Sequence, residues 1–216
     1  MIRLERLARF KEIDLYPVTC QELSEGRTNL EMLAAVLAGG SRIIQLREKH
    51  WNKKDLYELA LEFRKQTLRA KALLIINDYI DLALAVDADG VHLGHEDLPI
   101  PAARAIAPDL LIGASTHSLD EALRAEREGA DYVNIGPIFP TRTKDKVTPA
   151  LGPEAIREIG AYLQTPFTTM GGITLENINQ VLEAGARRVA LITGITRAKD
   201  ITERVKELRR IILSYS

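Results

Sequence analysis

Apolar, β-branched runs recur along this chain, spaced so that one helix fits between each pair. Eight stand out, at 15–20, 42–46, 73–77, 90–93, 111–115, 132–138, 167–170 and 188–192. Between them the apolar period changes from strand-like to helical. Leu56, Leu59, Ala60 and Phe63 fall on one helical face, with Lys53, Glu58 and Glu62 off it. Leu119, Ala122, Leu123 and Ala125 repeat the pattern, as do Ile178, Val181 and Leu182, and then Val205, Leu208 and Ile212. Ser118 with Glu121 reads as a capping box, Pro153 as part of a first helical turn and Thr174 as an N-cap. Gly129 and Gly185 read as helix ends. Eight strands alternating with helices predict an α/β fold, a single (β/α)8 TIM barrel over residues 1–216. A doubly wound open sheet is the alternative; the count of eight and the lack of a composition shift favour the barrel. The segment 1–13 reads as an extra amphipathic N-terminal helix, placed to cover the barrel's N-terminal mouth. The stretch 140–152 has no clear period, and an aperiodic stretch that long reads as a functional lid.

Hydrophobic residues make up 46% of the chain, enough for a sizeable core. The 29 basic and 30 acidic residues leave a net charge of −1, which argues against a general binder of nucleic acid or of membrane surfaces. Cys20 is the sole cysteine, so neither an intrachain disulfide nor a thiolate metal cluster is expected, and a reducing cytoplasm is the simplest compartment. The charged start, Met1 to Arg6, does not read as a signal peptide, and no apolar run approaches the roughly 18 residues of a membrane span.

A barrel of this class carries its chemistry at the C-terminal ends of its strands. Unusual residues collect there. The second run ends in Gln45, Arg47 and Lys49, which alternation puts on one face. An amide and two cations on one face suit an anionic, planar ligand better than a packed core. The third run ends in Asn77 and Asp78, and the fourth is followed by His95, Glu96 and Asp97. Two carboxylates on neighbouring loops suit a hard cation such as Mg²⁺ together with phosphate oxygens. Asp78 and Asp97 are the pair expected, with Glu96 and Asp81 read as solvent-facing or helix-borne. Ser115 points into the mouth if Ile112 and Ala114 alternate around it. Ser115 and His117 do not make a hydrolase, since no Gly-x-Ser-x-Gly elbow exists. His117 is equally a helix-start residue or an acid–base group, whereas His92, between Val91 and Leu93, reads as a satisfied core histidine. The sixth run leads into Thr141, Arg142, Thr143, Lys144 and Lys146, a basic loop over the same mouth. Gly171 and Gly172 before a helix start, with Thr193 and Gly194 after the eighth run, suit a phosphate held by backbone N–H groups. Two anion sites in one mouth imply a transferase or isomerase of phosphate esters.

The motifs Gln45-Leu46-Arg47-Glu48-Lys49, Ile76-Asn77-Asp78, 90–97, 113–118, 136–144 and Gly171-Gly172-Ile173, in this order, resemble the thiamine phosphate synthase family along nearly the whole chain. The resemblance implies a transferase that joins hydroxymethylpyrimidine diphosphate to hydroxyethylthiazole phosphate and releases pyrophosphate. It implies Gln45, Arg47, Lys49, Asn77, Ser115 and Lys144 as contacts to the pyrimidine and its diphosphate, with Arg47, Lys49, Lys144 and Ser115 acting in the reaction. It implies Asp78 and Asp97 as Mg²⁺ ligands, Thr141 and Thr143 near the thiazole, and Gly172, Ile192 and Thr193 on the thiazole phosphate. Small phosphate esters are the implied partners; a homo-oligomer is left open. Tyr79 stands where the family often has Arg, His95 where it often has Gln, Thr193 for Ser and Met170 for an aliphatic residue. None of these removes a charged or metal-binding group. Two alternatives stay beside this reading: a related thiazole tautomerase using His117, and a non-catalytic barrel that binds a phosphorylated thiazole.

Overall fold

Alternation along the strands sorts the apolar residues into two cores. In the computed structural model, which describes residues 2–141 and 149–215, Ile44, Leu46, Leu74, Ile76, Val91, Ile112 and Val133 face outward and pack against helices. Tyr16, Ile43, Leu73, Ile75, Leu111, Tyr132 and Ala190 point the other way and fill the inside of a cylinder. The strands are β1 (Leu15–Pro17), β2 (Ile43–Leu46), β3 (Leu73–Asn77), β4 (Gly90–Leu93), β5 (Leu111–Thr116), β6 (Tyr132–Ile135), β7 (Phe167–Thr169) and β8 (Val189–Leu191). They form one parallel sheet in the order β1-β8-β7-β6-β5-β4-β3-β2. A bridge between Val18 and Gln45 joins the two ends, with Thr19 N–H donating to the Gln45 carbonyl at 2.9 Å. The expected (β/α)8 barrel is therefore the observed one.

The helices are α1 (Arg3–Lys11), α2 (Asn29–Ala38), α3 (Lys53–Arg69), α4 (Ile80–Ala85), α5 (Ile100–Ile106), α6 (Leu119–Arg127), α7 (Glu154–Gly160), α8 (Ile178–Glu183), α9 (Thr193–Thr196) and α10 (Ile201–Leu213). Helix α1 does close the N-terminal mouth: Phe10, 0% exposed, enters the cylinder and stacks on Tyr132 with ring centroids 4.2 Å apart.

The first apolar run is longer than the strand it makes because it changes neighbours. Val18 N–H still donates to Leu191 of β8, and from Thr19 onward the backbone pairs with β2. The run 132–138 is broken at Pro137, which has no N–H for the ladder, and pairing with the end of β7 resumes at Ile138. Two helix starts differ from expectation. Thr174 does not cap α8. The Asn177 side chain instead accepts from Thr174 N–H at 2.8 Å and donates to the Gly172 carbonyl at 2.9 Å, so a side-chain-locked turn comes first and the helix begins at Ile178. Ser118 caps α6 by accepting from Glu121 N–H at 3.2 Å, but the capping box is only half made. The Glu121 carboxylate accepts from His117 N–H at 2.7 Å and lies 3.2 Å from His95 Nε2.

Three buried aspartates brace the end opposite the site. Asp14, Asp89 and Asp131 each directly precede a strand-forming stretch. Asp89 accepts from Leu74 N–H at 2.9 Å and from Arg64 at 2.8 Å. Asp131 accepts from Ile112 N–H at 2.8 Å and pairs with Arg104 and with Arg3 of α1. Asp14 pairs with Arg209 of α10. The Asp89 and Asp131 carboxylates tie neighbouring strands to an outer helix, and Asp14 ties the start of β1 to α10, so the rigid scaffold lies at one end and the chemistry is free to lie at the other.

Candidate active site

Every site residue predicted from sequence and described in the structure stands at or beyond the C-terminal end of its strand, at one rim. Thr143 and Lys144 lie outside the described residues, as does most of the expected lid over 140–152, and nothing further is placed there.

On β2 the predicted alternation holds. Gln45 is 3% exposed and donates from Nε2 to the Tyr16 hydroxyl inside the barrel at 3.0 Å. Arg47 is also buried. Its backbone N–H donates to Thr19 Oγ1 at 3.0 Å, and its guanidinium reaches Cys20 Sγ at 3.8 Å. Among the described residues no carboxylate lies within ion-pair distance of Arg47. A buried guanidinium with no carboxylate at ion-pair distance suits an anion supplied from outside. Glu48, on the opposite face, accepts from Gln21 N–H at 2.8 Å and so anchors the loop after β1; burial pushes its carboxyl up.

Asn77 continues the inward series Leu73, Ile75, Asn77. Asp78 follows with φ +64°, left-handed backbone that is uncommon outside glycine and is found where a site holds strain. The turn is fixed by Asp78 N–H donating to the His92 carbonyl at 2.9 Å. The Asp78 carboxyl lies near enough to Asp97 for the two to influence each other. Burial first, then hydrogen bonding to Asp97 and its charge, push the Asp78 carboxyl up, while Lys49, 3.2 Å from Asp78 Oδ2, pulls it down. Asp97 in turn accepts from Gly94 N–H at 2.6 Å. Two neighbouring carboxylates repel unless a proton or cation lies between them. This pair is the one place among the described predicted residues where a hard cation fits. No cluster of three His, Cys, Asp or Glu side chains accompanies it among the described residues, so water and substrate oxygens would complete the shell. Asp81, read as helix-borne, is on α4 and pairs with Lys53 at 2.6 Å.

The expected facing of Ser115 also holds: Ile112 and Ala114 pack outward, and Ser115 Oγ meets His92 Nε2 at 3.1 Å. His92 is bonded at both ring nitrogens, as expected of a satisfied core histidine, and its partners are site residues. His117 precedes the α6 cap and also lines the cleft over β6 to β8, its Nδ1 against the Gly136 carbonyl.

That cleft, of about 650 Å³ and open to solvent, gathers Thr141, Gly172, Ile192 and Thr193 with His117 and Asn134. Gly172 has φ +62°, and a Cβ there would sit 2.6 Å from the Pro140 carbonyl, so only glycine lets the two chain segments meet. Thr193 opens the short helix α9, in which the Ile195 and Thr196 N–H groups already donate to the Ile192 carbonyl, each at 2.9 Å. Asn134, Tyr16 and Tyr132 are site-layer residues the sequence reading missed. Their signal was present as polar groups at alternate positions of apolar strands, in Tyr132 and Asn134 of β6.

The family model described as thiamine monophosphate synthase matches residues 15–195. The chain belongs to the thiamine monophosphate synthase family. It is 43% identical to the thiamine-phosphate synthase of Caldicellulosiruptor saccharolyticus over 98% of this chain and 96% of that one. The thiamine-phosphate synthase of Pyrococcus abyssi is 44% identical over 94% and 96% of the two chains. The solved thiamine phosphate pyrophosphorylase of Pyrococcus furiosus superposes with a TM-score of 0.88 at 39% identity, covering 96% of this chain and 98% of that one. The fold and the transferase class expected from the sequence motifs are those of this thiamine monophosphate synthase family. No helix among the described residues is long and apolar enough to cross a membrane.

Proposed function

We propose that the chain is a thiamine-phosphate synthase in which the β2 to β5 side of the rim takes hydroxymethylpyrimidine diphosphate and the β6 to β8 cleft takes hydroxyethylthiazole phosphate. The observation that carries this division is the nearness of Asp78 and Asp97 at a rim where Lys49 stands 3.2 Å from Asp78 and the Arg47 guanidinium is buried at the end of β2. A carboxylate pair among cations suits Mg²⁺ and a diphosphate together, and suits neither alone.

In this reading Gln45, Asn77 and Ser115 hold the pyrimidine, and Arg47, Lys49 and Lys144 face its diphosphate. Asp78 and Asp97 would hold Mg²⁺, whose positive charge would offset that of the leaving oxygens. Thr141, Thr143, Gly172, Ile192 and Thr193 place the thiazole phosphate. The bond from the pyrimidine methylene to the diphosphate oxygen breaks with its electron pair leaving on pyrophosphate, and the thiazole nitrogen lone pair forms the new carbon–nitrogen bond. The protein offers no nucleophile. Its contribution is position and charge. The cytoplasmic compartment and self-association belong to the proposal in the form expected from sequence.

Mixing the two substrates with and without Mg²⁺ and measuring pyrophosphate tests the reading. Thiazole isomerisation without pyrophosphate would favour a tautomerase acting through His117, and binding without turnover a sensor. Two variants test the division of the rim. Arg47→Ala should lower kcat/KM by about 10²- to 10³-fold, and Arg47→Lys should restore little of it because the planar fork is lost. Gly172→Ala should raise KM for the thiazole phosphate by about 10- to 100-fold and leave KM for the diphosphate nearly unchanged. Equal effects on both substrates would contradict the assignment.

A further inference from the structure

Beneath the rim, five side chains from five different strands form one continuous hydrogen-bonded chain. Gln45 Nε2 donates to the Tyr16 hydroxyl at 3.0 Å, Tyr16 meets Tyr132 at 2.9 Å, Tyr132 meets His92 Nδ1 at 3.1 Å, and His92 Nε2 meets Ser115 Oγ at 3.1 Å. The two ends, Gln45 and Ser115, are substrate contacts in the proposed function, on which this inference rests. The three inner members have no role in it. We propose that Tyr16, Tyr132 and His92 are positioning residues. They form a one-way relay that holds His92 as its Nε2–H tautomer and so turns the Ser115 hydroxyl hydrogen toward the substrate.

The direction follows from counting donors. An amide nitrogen only donates, so the Tyr16 oxygen accepts from Gln45. The Tyr16 hydrogen then goes to Tyr132, its other polar partner in the described structure. Were Tyr132 to donate instead, Tyr16, 1% exposed, would keep a buried hydroxyl hydrogen with no acceptor. Tyr132 has accepted, so its own hydrogen goes to His92 Nδ1. That nitrogen therefore carries the lone pair, and the ring proton is on Nε2. The Nε2–H donates to Ser115 Oγ, and the serine hydrogen is left for the rim. An acceptor atom of the pyrimidine diphosphate is the group it would meet. Burial pushes both tyrosine hydroxyls up, so they act as neutral O–H groups throughout.

The surroundings are shaped to hold the middle of this relay. A Cβ at Gly113 would lie 2.1 Å from Tyr132 Cζ, so the tyrosine ring occupies space that only glycine leaves. From below, Phe10 of α1 stacks on the same ring at 27° between planes. Tyr132 is clamped between a strand and the N-terminal helix, and its hydroxyl has one place to be.

Heteronuclear NMR of the histidine ring nitrogens in the full, substrate-free protein reads the tautomer directly. The chain has 4 histidines, and a His92→Gln variant assigns the signal. The expected result is Nε2–H at His92. Tyr132→Phe removes the donor to Nδ1, so the two tautomers should mix, and kcat/KM for the pyrimidine diphosphate should fall by about 10- to 100-fold. Tyr16→Phe leaves Tyr132 able to donate, so it should keep the Nε2–H signal and lose less activity than Tyr132→Phe. A wild-type His92 protonated at Nδ1 would overturn the relay, as would an unchanged tautomer in Tyr132→Phe. If Tyr132→Phe does not fold, the wild-type tautomer and Tyr16→Phe still decide. A wild-type protein with the Nε2–H signal and no pyrophosphate release would sink the function and keep the relay.

Discussion

Asp78→Asn together with Asp97→Asn should abolish the response of turnover to Mg²⁺ and lower kcat/KM by about 10³-fold. Asparagine is the informative replacement. Asp78 sits at φ +64°, which Asn tolerates better than Ala, so the turn survives and only the charges go. The size of the effect follows from what the pair faces. Burial and Asp97 disfavour the ionised Asp78, so under the proposed function a cation between the two would relieve both, and its charge would offset that of the leaving diphosphate. Initial rates of pyrophosphate release against Mg²⁺ concentration measure it, with calorimetric binding of the thiazole phosphate as the control. A double variant that keeps the wild-type Mg²⁺ curve would place the metal elsewhere.

The largest effect on stability should come from the opposite end of the barrel. Asp131→Ala should cost about 3–5 kcal/mol, the usual result of removing one partner from a buried ion pair. The Asp131 side chain is 0% exposed, and its loss leaves the Ile112 N–H without that acceptor and the Arg104 guanidinium without its carboxylate, with only backbone carbonyls such as those of Pro108 and Leu110 to hold it. It also frees Arg3, whose Nε donates to Asp131 at 2.6 Å and helps to hold α1 across the mouth. For a chain of this size the melting temperature should drop by on the order of 10 °C, read by thermal denaturation followed by circular dichroism. Asp131→Asn should lose less, because its amide oxygen can still accept from Ile112 N–H. If Ala and Asn cost the same, the charge would be the whole effect and the tie between strands would contribute nothing.

The repeating elements were readable because burial imposes a period on the sequence. Each strand had to send alternate residues into two different cores, and each helix had to bury one stripe. The placement of Gln45, Arg47, Asn77, Asp78, Asp97 and Ser115 at one rim followed from that period, once the strands were known to be parallel. Residues whose role depends on a partner elsewhere were not readable. Asn177 took the turn that Thr174 was expected to begin, because its side chain, three residues on, accepts from the Thr174 N–H and donates to the Gly172 carbonyl. Glu121 left Ser118 for His117 and His95 for a similar reason. His92 was correctly read as satisfied, but what satisfies it comes from β5 and β6, 23 and 40 residues away.

The order of polar and apolar positions alone therefore determined an eightfold alternation of strand and helix and the end at which charge collects, while the resemblance to a family was carried by the motifs. Closure of the sheet decided the rest. It brought Tyr16 and Tyr132, 116 residues apart, to 2.9 Å, and set the two carboxylates side by side. A sequence fixes which way each side chain faces along its own strand. Only a closed cylinder sets which side chains meet across its interior, because that depends on the register of strands that are distant in the chain.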